Sequence, residues 1–260
     1  MGARLRLLGL AGLFAAIVCA APAAAQRDEP LPRFQDPLCP GIVGLQVEAA
    51  ERMVARIRDH ADDLGLRLAD AEGCEPNLIV AFLDNGQEYL QRLSADKSYM
   101  FEELSPQERR ELLADEGPVH VLPQVRTRSR DGMVVSRREN LVNPPQTEMW
   151  MAHSRIYTAT RRDIVSALVL IDSDAVGGMN VDQLADYAVM RAFTADTPEL
   201  LKAASDSILT LFDAPEAERP AGLTASDRAI LASLYRGPAN LRGSSRLAEL
   251  SRSDTMQDAE

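Results

Sequence analysis

Two strongly apolar segments constrain the fold of this chain more than any other feature. They cover residues 78–83 and 164–171, and each has the length of a β-strand. Neither segment alternates between apolar and polar residues, and this pattern is typical of strands buried on both faces. Such strands need helices packed against the sheet that contains them, so the two segments predict a layered fold of helices and strands.

Amphipathic segments supply the helices. Residues 47–64 carry apolar residues at spacings of three and four, and Gly65 is a natural C-terminal stop. The other helices are predicted over residues 86–94, 105–114, 181–193 and 224–236. Together these elements predict an α+β fold in which helices flank a small mixed or antiparallel sheet.

The residues between the two apolar segments predict further extended structure. Residues 125–138 are expected to form a β-hairpin around Asp131 and Gly132, which suit the two positive-φ positions of a type I′ turn. Residues 149–159 are expected to form another extended stretch.

Residues 1–25 have the organisation of a cleavable secretory signal peptide. Two arginines precede an apolar stretch over residues 7–19, and Ala23 and Ala25 are the small residues that a signal peptidase accepts. The apolar stretch is too short for a membrane-spanning helix. We therefore expect cleavage after Ala25 and a mature protein located in the periplasm.

The mature chain is expected to form one domain with short flanking segments. Residues 26–38 are predicted as an extended lead-in, residues 39–242 as a single α+β domain and residues 243–260 as a flexible polar tail. The formal net charge of the chain is −11, and removal of Arg4 and Arg6 with the signal lowers it to −13. Such an acidic protein is poorly suited to bind nucleic acid, so no nucleic-acid partner is expected.

Two of the three cysteines remain in the mature chain, because Cys19 lies within the signal peptide. Cys39 and Cys74 are predicted to form a disulfide in an oxidising compartment. This bond would close a loop of about 36 residues and stabilise the fold by roughly 3–4 kcal/mol. The alternative is a pair of unpaired buried thiols.

The sequence lacks the common motifs of catalytic sites. The histidines His60, His120 and His153 form no H-E-x-x-H motif, and there is no G-x-S-x-G and no glycine-rich phosphate loop. We therefore expect no metal, no cofactor and a protein that is not an enzyme. The alternative is a hydrolase whose site brings His153 together with Asp163 or Asp172, and His153 is also a candidate binding residue.

One group of arginines is conspicuous in this acidic chain. Arg126, Arg128 and Arg130 alternate along the predicted hairpin and so lie on one face, and Arg161 and Arg162 follow later. These five candidate binding residues predict contact with an acidic or anionic component of the envelope. The alternative is that they form the solvated face of a two-stranded ribbon.

Four stretches of the sequence resemble a group of exported proteins of alphaproteobacteria, chiefly of sphingomonads. They are FQDPLCPG at residues 34–41, CEPNLIV at 74–80, WMAHS at 150–154 and TRRDIV at 160–165. The resemblance extends over nearly the whole mature chain. It implies export, but it implies no reaction, because the group has no assigned activity.

The order of the predicted elements also resembles the layout of zincin metallopeptidases. In that layout the helix after the buried strand carries H-E-x-x-H, and here the matching positions hold Ala185, Asp186 and Val189. Alanine and valine cannot bind zinc, so the resemblance implies a zincin-like scaffold without its catalytic metal. It also implies a cleft beside an edge strand at residues 148–157, where an extended peptide could bind by strand addition. We therefore expect an exported, non-enzymatic protein of binding or envelope-associated type.

Overall fold

The structure is a computed structural model that describes residues 29–135, 154, 156–201 and 206–257. The described strands form one sheet and are β1 (Arg33–Phe34), β2 (Pro40–Val43), β3 (Leu78–Leu83), β4 (Val119–Ser129) and β5 (Thr160–Asp172). The described α-helices are α1 (Val47–Asp63), α2 (Gly86–Asp96), α3 (Pro106–Ala114), α4 (Val181–Phe193), α5 (Pro198–Leu201), α6 (Ala225–Tyr235) and α7 (Gly243–Gln257). Short 3₁₀ helices cover Ser98–Phe101, Ile208–Phe212 and Glu216–Glu218.

The sheet is built around β5, the longest strand. β4 pairs with β5 in antiparallel fashion along almost its whole length. β1 and β3 pair with β5 in parallel, at residues 163–164 and 167–172 respectively. Because β4 occupies one side of β5, β1 and β3 lie end to end along the other side. β2 then follows β3 as the outermost strand.

This arrangement confirms a fold of helices and a sheet, and of the two expected alternatives, a mixed or an antiparallel sheet, only the antiparallel one is wrong. The pairs β1–β5, β2–β3 and β3–β5 are parallel, and β4 is the described strand that runs the other way. The reason is the connection between strands. Helix α1 joins β2 to β3, and a helical crossover of this kind lets the second strand run in the direction of the first.

The two apolar segments form the centre of the sheet, as predicted. β3 coincides with residues 78–83 and β5 contains residues 164–171. Helix α4 also begins and ends where the sequence predicts. Capping boxes close the first turns of α3, α4 and α6, and they are formed by Ser105 with Glu108, Asn180 with Gln183, and Thr224 with Asp227.

The sheet separates two apolar layers. On one face α1, α4 and α6 cover the strands with buried side chains that include Met53, Ile57, Val189, Phe193 and Ile230. On the other face a smaller cluster contains Leu90, Phe101, Leu122 and Leu170. Successive strand residues point to opposite faces, so both layers draw on the same strands. No helix of the described chain is long and apolar enough to span a membrane.

The predicted hairpin differs from the structure in its turn and in its partner. A type I′ turn is wrong, because Gly132 has a φ of 92° whereas Asp131 has no positive φ. The Gly132 N–H donates to the Ser129 carbonyl, and the Ser129 N–H donates to the Met133 carbonyl. This is a type I turn followed by a glycine bulge. The main partner of β4 is β5, and residues 136–138 lie outside the described residues.

The predicted lead-in contributes to the sheet. Within residues 26–38, Arg33 and Phe34 form β1 and are buried. The Arg33 guanidinium donates to the carbonyl oxygens of Leu234 at 3.0 Å and Gly237 at 2.8 Å, at the end of α6. Arginine at a helix C-terminus satisfies carbonyl groups that have no partner within the helix. The lead-in therefore connects the sheet to the C-terminal helices.

The C-terminal segment also differs from the prediction, because α7 begins where a flexible polar tail was expected. Arg246 and Leu250 are only 6% and 4% exposed. Arg246 Nη2 donates to the carbonyl oxygens of Arg236 and Pro238, beyond the last turn of α6. Hydrogen bonds to backbone carbonyls cannot be inferred from a sequence pattern. The polar composition of this segment therefore gave no indication that it would be ordered.

The predicted disulfide between Cys39 and Cys74 is confirmed, with Cα atoms 6.2 Å apart. Cys39 directly precedes β2, and Cys74 lies in the loop that leads into β3. The bond therefore holds together the two ends of the α1 crossover.

Replacing both Cys39 and Cys74 by serine should lower the free energy of unfolding by about 2–4 kcal/mol, because the unfolded chain regains the freedom of the open loop. Urea denaturation of the variant and of the oxidised wild-type protein measures this difference. Reduced wild-type protein serves as the control and should unfold at the same urea concentration as the variant. Equal midpoints for the variant and the oxidised protein would contradict the prediction.

Candidate functional site

Helices α1 and α4 are joined by a row of charged side chains spaced one helix turn apart. Arg52 binds Asp182 through two hydrogen bonds, of 2.9 and 2.6 Å, and Arg56 binds Asp186 through two of 2.8 Å. His60 Nε2 lies 2.6 Å from Asp186 Oδ1. The row begins with the partly exposed Asp182 and ends at Asp186, which is fully buried.

Asp186 is surrounded by hydrogen-bond donors. The Leu223 N–H donates to Oδ2 at 2.8 Å, and Gly222 lies so close that a Cβ there would come within 2.5 Å of Oδ2. Burial by itself would raise the pKa of Asp186. The hydrogen bonds from Arg56, His60 and Leu223 outweigh burial and hold this pKa well below its ordinary value. The carboxylate is therefore ionised at neutral pH and holds α1, α4 and the loop at Leu223 together.

These contacts explain the positions that the zincin resemblance singles out. Ala185 and Val189 are fully buried and belong to the apolar core. Asp186 stands at the position of the glutamate, and its two oxygens are occupied by donors from the protein. The described residues contain no group of three or more histidine, cysteine, aspartate or glutamate side chains that could hold a metal ion.

Two members of the predicted arginine group lie in an internal ion-pair cluster. Arg128 donates to both oxygens of Asp36 at 3.0 Å, and its Nη1 lies 3.4 Å from Asp163 Oδ2. Arg161 donates to Asp163 Oδ2 through Nε at 3.2 Å and Nη2 at 3.0 Å. These two arginines therefore balance two carboxylates of their own chain.

Asp163 is the buried centre of that cluster. Burial raises the pKa of Asp163, and the nearby charges of Arg161 and Arg128 only partly oppose this effect. Oδ1 accepts no hydrogen bond from the described residues, because the Arg161 Nε–H, although 3.0 Å away, is directed to Oδ2. Arginine does not exchange protons near neutral pH, so the groups closest to Asp163 are poor partners for acid–base chemistry.

The remaining predicted binding residues do not converge on one described site. Arg126 and Arg130 are exposed on β4 and its turn. The Arg162 guanidinium lies 3.7 Å from the Glu29 carboxylate. His153 lies outside the described residues.

Asp172 and His120 lie beside the first turn of α2. Asp172 accepts a 2.7 Å hydrogen bond from the Gly86 N–H, so it satisfies a backbone donor of that turn. His120 is 1% exposed, its ring nitrogens have no hydrogen-bond partner in the described part of the chain, and Nδ1 lies 3.6 Å from Asp115. The contact of Asp172 is thus that of a structural residue rather than of a catalytic carboxylate.

A groove runs along the outer edge of the sheet, between β2 and α1, and has a volume of about 610 Å³. Its apolar lining consists of Ile42, Leu45, Val47, Ala50, Val54 and Ala55. Three of the α1 residues, Val47, Ala50 and Val54, recur at spacings of three and four, so they form one stripe along the helix. Two other stripes of α1 face α4 and the core, so the stripe that lines the groove lies beside β2.

The backbone of the edge strand offers hydrogen-bonding groups beside the groove. Leu38 exchanges two backbone hydrogen bonds with residues 67–69, whereas the Cys39 carbonyl accepts from the Leu78 N–H on the β3 side. These directions alternate along a strand, so the Ile42 N–H and C=O point away from β3, along the outer edge. β2 is the last strand of the sheet in the part of the chain described, so no described strand pairs with that edge.

Sequence reasoning missed this groove. Residues 40–43 read Pro-Gly-Ile-Val, which is too short and too rich in turn residues to predict a strand. The spacing of the apolar residues in α1 predicts a single apolar stripe, whereas in the structure Val47 is 66% exposed. An apolar stripe too wide for one core contact was the signal that could have revealed it.

No protein-family model, no characterised protein and no solved structure matches this chain. The resemblances to exported alphaproteobacterial proteins and to zincins stay predictions that rest on the sequence.

Replacing Asp186 by asparagine should lower the free energy of unfolding at pH 7 by about 2–3 kcal/mol. This is below the usual cost of breaking a buried ion pair, because the Arg56 side chain is 35% exposed. The native carboxylate has a lowered pKa, so its contribution is complete above the unfolded pKa of about 4 and is lost as the pH falls below that value. The difference between wild type and variant, measured by urea denaturation from pH 7 to pH 3, should therefore shrink below about pH 4.

Asp182→Asn is the matched control, because Asp182 makes the equivalent contact one helix turn earlier but is much more exposed. Its effect on the urea midpoint should be clearly smaller. An equal loss for the two variants would show that burial of Asp186 does not determine the strength of the contact.

Proposed function

We propose that this chain is an exported, non-enzymatic binding protein of the cell envelope, and that its ligand is an extended polypeptide segment that adds to the edge of β2. The observation that carries the proposal is the outward N–H and C=O of Ile42 immediately beside an apolar groove. In strand addition the main-chain hydrogen bonds give affinity, and pockets for alternate side chains give specificity.

Helix α1 is placed so that it would contact the bound segment. It connects β2 to β3, so a strand added beside β2 would lie along the outer flank of α1. Alternate side chains of that strand would face Val54 and Ala50, while its backbone would face Ile42. The ligand would thus gain hydrogen bonds and apolar burial from one placement.

A segment of the chain itself already pairs with the same edge, immediately before β2. Leu38 forms a parallel bridge with Leu68, with backbone hydrogen bonds to Arg67 and Ala69. An extended segment therefore already lies beside this strand, directly before β2. The proposed ligand would continue along the edge where residues 67–69 leave it.

Export is supported by the signal-like residues 1–25, which lie outside the described residues, and by the Cys39–Cys74 disulfide. Structural disulfides persist mainly in oxidising compartments such as the periplasm. The proposal includes membership of the exported alphaproteobacterial group and a zincin-like scaffold without its metal. The placement of α4 directly after β5 and the core positions of Ala185 and Val189 support the second part.

The other two hypotheses have less support. For a contact with an anionic envelope component, Arg128 and Arg161 are engaged with Asp36 and Asp163. For a hydrolase, Asp163 has arginines as its close neighbours and Asp172 is bound to the first turn of α2. Of the predicted cleft at residues 148–157, only residues 154, 156 and 157 are among the described residues.

Ile42→Pro should abolish strand addition, because proline removes the outward N–H, and an edge strand tolerates proline where its N–H faces solvent. The probe is a labelled heptapeptide in which valine and threonine alternate. Fluorescence anisotropy should give a dissociation constant at or below about 100 μM for wild type, equivalent to roughly 5.5 kcal/mol, and at least about tenfold weaker binding for the variant.

Two variants make this result interpretable. Ile42→Val retains the N–H and should bind within about threefold of wild type, since most of the apolar side chain remains. Val54→Arg blocks the groove without touching the strand and should also abolish binding. Unchanged binding by both Ile42→Pro and Val54→Arg, with native circular dichroism, would overturn the proposed site.

Export has its own test. Expression of the full chain in a Gram-negative host should give periplasmic protein whose first residue is Gln26, as read by N-terminal sequencing. Replacing Ala25 by leucine removes the small residue before the cleavage site and should leave the precursor uncleaved. A cytoplasmic product that retains Met1 would contradict export.

A further inference from the structure

We infer that the segment bound along β2 is basic as well as apolar, with two cationic side chains four residues apart on either side of an apolar one. This inference rests on the proposed function and specifies the ligand of the same groove. It follows from the charges that line the groove and from the distance between them.

The groove carries two carboxylates, Glu51 and Asp59, on the flank of α1 that lies beside β2. Both residues are exposed, and neither forms an ion pair with another described residue. A ligand placed in the groove would pass close to both of them. A cationic ligand is therefore favoured over an anionic one by direct attraction and by the net negative charge of the chain.

The arginines of α1 do not compensate these two carboxylates by direct contact. Arg52 and Arg56 are bound to Asp182 and Asp186 on the far side of the helix. Arg58 lines the groove, but its Nη1 donates to the Ala69 carbonyl at 3.0 Å. It therefore reaches toward the segment where residues 67–69 already occupy the strand edge.

The spacing of the carboxylates sets the spacing of the ligand's cations. Glu51 and Asp59 are eight positions apart on a helix that rises 1.5 Å per residue, so they are separated by about 12 Å along the axis. A β-strand rises about 3.3 Å per residue, so the same distance corresponds to roughly four residues of the ligand. Strand residues two and four apart share a face, so both cations and the residue midway between them would face α1.

The midway position meets the apolar part of the groove. Val54 and Ala55 lie between Glu51 and Asp59 on α1, and both line the groove. A valine or leucine at that ligand position would contact them while the flanking cations reach the carboxylates. The recognised pattern is thus cation, any residue, apolar residue, any residue, cation.

Three heptapeptides that differ at two positions test the inference. All carry valine at position 4, and positions 2 and 6 are lysine, threonine or glutamate. Fluorescence anisotropy at 20 mM salt should rank the lysine peptide first, about tenfold tighter than the glutamate peptide, with threonine between them. The difference should fall in 0.5 M salt, because exposed charges are then screened.

The variant Glu51→Gln/Asp59→Asn should lose this ranking and still bind the threonine peptide like wild type. Glu48→Gln/Asp63→Asn is the matched control, because it changes the net charge equally with exposed residues outside the groove, and it should keep the ranking. Threonine-peptide binding without a preference for lysine would overturn this inference and leave the proposed function standing. If no peptide binds and sedimentation shows a dimer that Val54→Arg dissociates, a second copy occupies the groove and both proposals fail.

Discussion

The buried carboxylate of Asp186 determines how the helical layer is assembled on the sheet. A fully buried charge is tolerated only when donors surround it, and here they come from Arg56, His60 and the Leu223 backbone. These donors belong to α1 and to the loop before α6, so α1, α4 and that loop must reach their final positions together. The contact also sets the rotation of α1 about its axis. Once Arg56 faces α4, the stripe that contains Val54 is left facing outward, beside β2.

The same balance of charge explains why the conspicuous arginines are not an open cationic surface. Arg128 and Arg161 surround Asp163, and Arg33 and Arg246 bind carbonyl oxygens near the end of α6. In each case a guanidinium group satisfies oxygens that burial would otherwise leave without partners. These four arginines are thus used inside the fold rather than on an open cationic surface. The acidic surplus remains on the surface, and Glu51 and Asp59 bring it to the groove.

An exposed strand edge is a hazard as well as a binding site, and β2 limits that hazard by its composition. Pro40 has no N–H, and β2 is only four residues long, so Ile42 offers its one outward donor. Such a short edge cannot support extensive pairing with unrelated chains. A bound segment must therefore also contact the apolar flank of α1, so its affinity depends on the side chains of the ligand.

Local sequence determined the elements of this protein, and tertiary contacts determined their partners. The strands at residues 78–83 and 164–171, the span of α4 and the capping pairs were predictable, because each depends on residues close together in the chain. The parallel pairing of the strands, the burial of Asp186 and the order in α7 were not. Each of these features depends on contacts between residues that are far apart in the chain. In the sequence, Asp186 has the character of an ordinary surface residue of a helix, and only the contact with Arg56 shows otherwise. The groove belongs to this second kind, since β2 becomes an edge strand only once β3 has paired on its other side.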